Sequence, residues 1–342
     1  MVAASAQTRL LMLILAAVVL LVAGSACTAP TPSTLYDGTL YRGSGKAMQV
    51  KRVRGFRLRD PAQPREIALE VDYPTGPDAA GQGPLPVVVF SHGAFCAPQN
   101  YAAITDYWVS HGYVVVLPDH PDSLNTQPPL RLDQMDGLTE TRIADLGFLL
   151  EHLDEVAAAA RIPGRLDGSR VAVAGHSFGT VIAMAKAGLW MRTSGGGERQ
   201  FRDPRVRAAV VMSGVGQMDD MMAPDAFRDL RLPLIATGGT LDLGNVGRPP
   251  VFPWEWRMSP YTLAPAGDKY SVVLENGDHY LGGLICRPDR GGDDDPEGAA
   301  IDASLTLAFL DTYVKGDQRA ADFLAHADVA KLTGGRARFA HK

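Results

Sequence analysis

Six short runs of β-branched residues, each leading into a stretch with a different pattern, constrain this chain more than any other feature. They are "VVVFSHG" from Val87, "YVVVLPDH" from Tyr113, "RVAVAGHS" from Arg170, "VRAAVVMSG" from Val206, "LPLIATGG" from Leu232 and "YSVVLENG" from Tyr270. Strands this continuously apolar are buried on both faces, as in parallel sheets. Helical spacing separates them: "NYAAITDYWVSHG", a single long amphipathic stretch over 139–160, "FGTVIAMAKAGLWM", and the closing "ASLTLAFLDTYVKG" and "RAADFLAHADVAKL". In the 139–160 stretch Ile143, Leu146, Leu149, Leu150 and Leu153 share a face. Strands alternating with helices predict an α/β architecture, a parallel central sheet with helices on both faces. Ahead of it, "MQVKRVRGFRL" and "REIALEVDYP" alternate at period two around "RDPAQP", which predicts an antiparallel pair. The least regular segments are 187–205, 214–230 and 243–268. Each leaves a strand end, so each is a candidate rim of a pocket or a purely structural loop.

The N-terminus stands outside this pattern. "MVAASAQTR" carries one positive charge, about fourteen apolar residues follow in "LLMLILAAVVLLVA", and then "GSA" precedes Cys27. This is the layout of an export signal over 1–26, with an apolar stretch short for a membrane span. A cysteine after "AGSA" also resembles the bacterial lipobox, which implies a lipidated Cys27 and membrane attachment. Gly24 stands where that motif has Leu, Val or Ile, so ordinary cleavage is the alternative. Residues 27–45, opening with "TAPTPSTLYDGT", read as a flexible tether. Residues 46–342 then form a single domain in an exported, cell-envelope or secreted protein. The net charge of −5, with no basic run, argues against nucleic acid as a partner.

The chemistry starts at "GHSFG", residues 175–179, which matches G-x-S-x-G. A turn serine satisfies the pentapeptide by itself. Here the motif lies between a buried strand and a helix, the context that pushes a serine out at a sharp, strained corner with no room for bulk beside it. A hydroxyl is a poor nucleophile without a base, so Ser177 predicts a histidine and an acid. Both follow in the order Ser, Asp, His. Asp242 lies just past "LPLIATGG" and His279 just past "YSVVLENG", each beyond its strand as Ser177 is. Asp242 also fits a turn-capping role, and His279 a surface loop. Asp278 and Asp268 compete for the acid but sit less well: one adjoins the base, the other precedes its strand. An oxyanion hole requires two backbone amides. One is Phe178. The other belongs to the loop "SHGAFCAPQNY", with Ala94 the candidate and Phe95 one register away.

At these residues the chain resembles the α/β-hydrolase superfamily. The resemblance is carried by "PVVVFSHGAFCAPQNYAAITDYWVSHGYVVVLPDHPDS" and "GRLDGSRVAVAGHSFGT" and covers about residues 50–315. It is greatest to dienelactone-hydrolase-like and platelet-activating-factor-acetylhydrolase-like esterases, with chlorophyllase and bacterial cutinase-type polyesterases as cousins. It implies a mostly parallel sheet of about eight strands, no cofactor, and an acyl-enzyme mechanism with Ser177 as nucleophile, Asp242 as acid and His279 as base. A serine in place of the cysteine of dienelactone hydrolase proper favours ester hydrolysis of the acetylhydrolase kind. Two departures touch the pocket: "HGAFCA" replaces a glycine-rich "HGLGG" type of loop, and 243–268 matches no pattern of the family.

Smaller signals complete the reading. Cys96 lies two residues past Ala94 and Cys286 seven past His279. If the catalytic loops converge, an exported protein would bridge this pair; two unpaired thiols are the alternative. Phe95, Trp254, Trp256 and Tyr261 are candidates to line an apolar pocket, with packing as the competing role. "GGDDDPEG" reads as a solvated acidic loop rather than a calcium site. "GSGK" at 43–46 lacks the first glycine and the Ser/Thr of a P-loop, and no His/Cys metal spacing appears. The expected function is that of a serine esterase acting on small or short-acyl esters, with a small-molecule or lipid ester as its partner. A lipase or polyesterase is the runner-up, and a non-catalytic envelope-binding protein on the same scaffold is the reading from another class.

Overall fold

The computed structural model describes residues 38–79, 82–130, 137–244, 250–289 and 292–342. The export signal and Cys27 lie outside the described residues, as does most of the expected tether. No helix among the described residues is long and apolar enough to cross a membrane.

The β-branched runs form strands of one nine-stranded sheet, in the order β1-β2-β4-β3-β5-β8-β9-β10-β11. The strands are β1 (Gln49–Arg59), β2 (Glu66–Thr75), β3 (Leu85–Ser91), β4 (Val114–Asp119), β5 (Leu166–His176), β8 (Val206–Met212), β9 (Leu234–Gly239), β10 (Lys269–Leu274) and β11 (Ala337–His341). The strands from β4 to β10 run parallel, while β1, β2 and β11 pair antiparallel to their neighbours. Two strands, β6 (Trp190–Arg192) and β7 (Glu198–Gln200), make a separate hairpin.

The α-helices of seven or more residues are α1 (Ala102–Ser110), α2 (Leu138–Glu151), α3 (Leu153–Ala159), α4 (Phe178–Ala187), α5 (Pro296–Leu310) and α6 (Gln318–His326). Period-two side chains divide the core into two layers. Val87, Val89, Val171 and Val173 pack with Leu146 of α2 and Ile182 of α4. Val88, Phe90, Ala172 and Ala174 pack with Trp108 of α1 and Leu305 of α5. Both faces of the parallel strands are therefore covered, as their continuous hydrophobicity requires.

Five details differ from the sequence expectation. The closing "RAADFLAHADVAKL" stretch is two helices, because Ala327 is extended (φ −69°, ψ 125°) and Asp328 caps a short second helix, Val329–Leu332, by accepting from Lys331 N. The 139–160 helix breaks at His152, which leaves helical geometry (φ −114°, ψ 37°) while its ring stacks on Phe148 at 4.2 Å. The helix after Ser177 stops at Gly188 (φ 122°), so "LWM" enters the β6–β7 hairpin instead. The sheet has a ninth strand because the C-terminal "ARFAH" pairs with β10. The last part of the expected tether is docked. Tyr41 is buried, its hydroxyl donates to Asp311 Oδ2 at 2.8 Å, and its carbonyl accepts from Ser304 Oγ at 2.7 Å.

The strand order reverses around β3: the chain passes to β4 on one side, then to β5 on the other. In open α/β sheets a ligand crevice opens at such a switch point, beyond the C-terminal strand ends. The loop after β3 and the turn after β5 meet there.

Candidate active site

Ser177 occupies the single residue between β5 and α4, with φ 52° and ψ −123°. A non-glycine residue with positive φ is strained and needs its surroundings to hold it. Its own amide donates to Met212 O on β8 at 3.0 Å, and its carbonyl accepts from Thr180 N at 2.9 Å. A Cβ on Gly175 would overlap the Gly179 carbonyl, and one on Gly179 would overlap the Ser91 carbonyl. The two glycines are thus required by close backbone approach across the turn.

The residues from the later strand ends arrive at the same place. His279 follows β10 and puts Nε2 3.0 Å from Ser177 Oγ, and its Nδ1 lies 2.8 Å from Asp242 Oδ1 in the turn after β9. A carboxylate can only accept, so Nδ1 carries the proton and Nε2 faces the serine as acceptor. Burial pushes the Asp242 carboxyl up, but His279 and Arg257 outweigh it and hold the group well below the usual carboxylate range. The two competing acids are engaged elsewhere. Asp278 accepts from the amides of Tyr280 and Gly282, and Asp268 from the Tyr313 hydroxyl.

Of the two backbone donors, Phe178 is the first residue of α4 and Ala94 lies in the half-exposed loop after β3. Neither amide donates to a described group. Phe95 differs: its N–H donates to Asp122 Oδ2 at 3.2 Å, and its φ is 55°. Gly93 leads into this loop, and a Cβ there would meet Cys96 Sγ at 2.9 Å and His176 Nδ1 at 3.1 Å.

Residues 47–194, which include the β3 loop and Ser177 and end before Asp242, match the family model described as Chlorophyllase. Chlorophyllase-1, chloroplastic, of Citrus sinensis is 30% identical over 130 residues, or 35% of this chain and 37% of that protein. The corresponding protein of Citrus unshiu is 29% identical over 130 residues, with the same shares of each chain. The match thus spans little more than a third of the length of these curated relatives. The fold is of the α/β-hydrolase type, to which the chlorophyllase family belongs, and the chain is similar to that family over residues 47–194.

In this α/β fold, Cys96 and Cys286 are joined as a disulfide, with Cα atoms 4.9 Å apart. The bridge ties the loop after β3 to the segment after His279, beside a reciprocal pair of hydrogen bonds between Asn100 and Cys286. The aromatic candidates divide. Trp256 stacks on Phe252 at 4.9 Å and lies under the Arg257 guanidinium, next to Asp242. Trp254 instead lies under Arg338 of β11 and Tyr261 under Lys342, so their rings are used in packing. Phe95 is half-exposed on the loop after β3.

Several site residues escaped the sequence reading. Arg257 donates through Nε to Asp242 Oδ1 at 3.1 Å and through Nη2 to Leu243 O at 3.1 Å. Its segment, 243–268, looked like a pocket rim, yet it supplies the group that holds the acid. His176 is wholly buried beside Ser177. Its Nε2 donates to the carbonyl of His279 at 2.9 Å and its Nδ1 accepts from Tyr101 Oη at 3.0 Å. Tyr101 in turn accepts from the Gly93 amide at 2.9 Å. Burial holds His176 well below its usual pKa, consistent with this neutral tautomer.

Proposed function

We propose that this α/β-hydrolase is a serine esterase that cleaves carboxylic esters through an acyl-enzyme intermediate. The observation that carries the reading is the unbroken chain from Ser177 Oγ through His279 to Asp242 Oδ1, with both links at 3.0 Å or less, beginning at a half-exposed serine held at positive φ. His279 Nε2 takes the Ser177 proton as Oγ attacks the ester carbonyl. Asp242 keeps the imidazole in the needed tautomer and stabilises its charge. The amides of Ala94 and Phe178 hydrogen-bond the oxyanion. The protonated His279 returns its proton to the departing alcohol. Water then attacks the acyl-enzyme by the same route and frees Ser177.

Short p-nitrophenyl esters test this directly. Ser177→Ala abolishes their hydrolysis and fluorophosphonate labelling while leaving the far-UV CD spectrum unchanged; full retained activity refutes the assignment. The disulfide supports export to an oxidising compartment. A second reading, a lipase or polyesterase, is favoured by the exposed side chains of Leu241 and Leu243, which flank Asp242. An ester panel graded by acyl length separates the two, and chlorophyll, which the relatives' name supplies, belongs in it.

A further inference from the structure

Beneath the loop after β3 lies a buried polar network that the triad does not touch. Arg142 on α2 is 0% exposed and Asp122, in the loop after β4, is 1% exposed. Their ion pair is a fork, with Arg142 Nη2 2.6 and 2.5 Å from the two carboxylate oxygens and Nε 2.9 Å from Oδ1. The guanidinium also donates to the loop, from Nη1 to His92 O at 2.6 Å and from Nη2 to Gly93 O at 3.4 Å. Asp122 Oδ2 accepts from the Phe95 amide at 3.2 Å. The Phe178 ring lies 4.8 Å from the guanidinium carbon.

We propose that Arg142 and Asp122 are positioning residues that aim the two oxyanion amides. The inference rests on the esterase reading above. The Ala94 N–H belongs to the Gly93–Ala94 peptide. The carbonyl of that peptide receives three donors: His92 Nδ1 at 2.7 Å, Cys96 N at 3.3 Å and Arg142 Nη2 at 3.4 Å. In a planar trans peptide the C=O and N–H point in opposite directions. Holding the Gly93 carbonyl inward therefore turns the Ala94 N–H outward. The next peptide is held by Asp122 through Phe95, so Ala94 is fixed on both sides and a peptide flip is blocked. The same guanidinium supports the ring of Phe178, whose amide is the other donor.

The cost of this arrangement argues for a function beyond stability. A buried ion pair is often no more stabilising than an apolar packing of the same volume. Preorganised donors are where such a cost gains rate, because an oxyanion hole works only if its dipoles need not reorganise. Lysine cannot replace the fork. An ammonium has no planar geometry with which to meet a carboxylate bidentately and two carbonyls at once.

The test is Arg142→Lys and Asp122→Asn in the full chain. Steady-state hydrolysis of p-nitrophenyl acetate is measured about 20 °C below each variant's Tm. The affinity of a trifluoromethyl ketone, which forms a tetrahedral oxyanion adduct on the serine, is measured alongside. Positioning predicts that kcat falls by about 10- to 100-fold and ketone affinity by a similar factor, with KM within about threefold. A folded variant with kcat and ketone affinity within twofold of wild type overturns the proposal. Two variants that lose the fold without any folded, slow species make the pair a stability device and overturn it as well. Absence of esterase activity in the wild-type chain, or its survival in Ser177→Ala, would instead defeat the esterase reading; the positioning role is judged on variant-to-wild-type ratios.

Discussion

Removing the Cys96–Cys286 bridge separates what stabilises the site from what shapes it. The bridge closes a loop across a sequence separation of 190. In the chain-entropy account a loop of that size constrains the unfolded state by roughly 5 kcal/mol at 25 °C. Unfolding of roughly 300 ordered residues carries about 0.6 kcal/mol/K near 60 °C, so Tm should fall by about 8 °C. The loop geometry should survive. Cys286 N still donates to Asn100 O at 3.0 Å, Asn100 Nδ2 to Cys286 O at 2.8 Å, and Leu124 N to Cys96 O at 3.1 Å. The double variant Cys96→Ser/Cys286→Ser is therefore expected to lose stability and keep its rate. Thermal melting followed by CD and initial rates on p-nitrophenyl acetate at 20 °C measure the two effects. A Tm within about 2 °C of wild type would refute the entropic argument. A tenfold fall in kcat at 20 °C in a folded variant would refute the claim that these hydrogen bonds suffice.

Asp242→Asn turns an N–H toward His279 Nδ1, so the proton moves to Nε2 and the base faces Ser177 already occupied; kcat on p-nitrophenyl acetate should drop by about 10⁴-fold with the fold intact, and a loss under tenfold contradicts the tautomer assignment. Asp302 gives a pH prediction. Burial raises its carboxyl to about 7, Thr237 Oγ1 donates to Oδ2 at 3.1 Å, and Oδ1 has no described partner. Between pH 4 and 7 the unfolded chain releases this proton and the folded one retains it, so stability falls as pH rises through that window and then levels off. Asp302→Asn removes this loss, an effect bounded by about 4 kcal/mol; its urea midpoint should gain on wild type from pH 4 to pH 8, and parallel profiles would exclude the mechanism.

The parts of the molecule that were legible in the sequence are those encoded over short windows. Ser177, Asp242 and His279 each lie just past a β-branched run, so local pattern alone puts them at strand ends. The strand order that brings those ends together depends on which strands pair, and no local window holds that information. β11 was missed because "ARFAH" offers neither an apolar run nor a clean alternation; its pairing comes from β10. Arg257 acts on a residue 15 positions away through a one-sided contact that leaves no spacing signature. Arg142 did leave one. It sits four residues before Leu146 and seven before Leu149, so a charged residue occupies the apolar stripe of α2. An arginine on a buried face requires a buried partner, so this spacing carried a signal of the internal network that the sequence reading passed over.

Histidine decides a further point about how such a site is recognised. β3, β4 and β5 end near His92, His120 and His176, and all three rings are buried. Burial lowers the pKa of each, which leaves neutral imidazoles with one donor and one acceptor. Each can thus link two groups without adding charge under the loops. His120 goes further. It accepts from Ser91 Oγ at 3.0 Å through Nε2 and donates to Asp145 Oδ2 at 2.8 Å through Nδ1, the same order of partners as His279. All three members of that second Ser–His–Asp chain are 0% exposed, so no ester can reach it. Hydrogen-bond connectivity therefore does not distinguish a nucleophile from a scaffold serine. Backbone and access do: Ser91 is the last residue of an ordinary strand, whereas Ser177 is half-exposed, held at positive φ, with two backbone amides left free beside it.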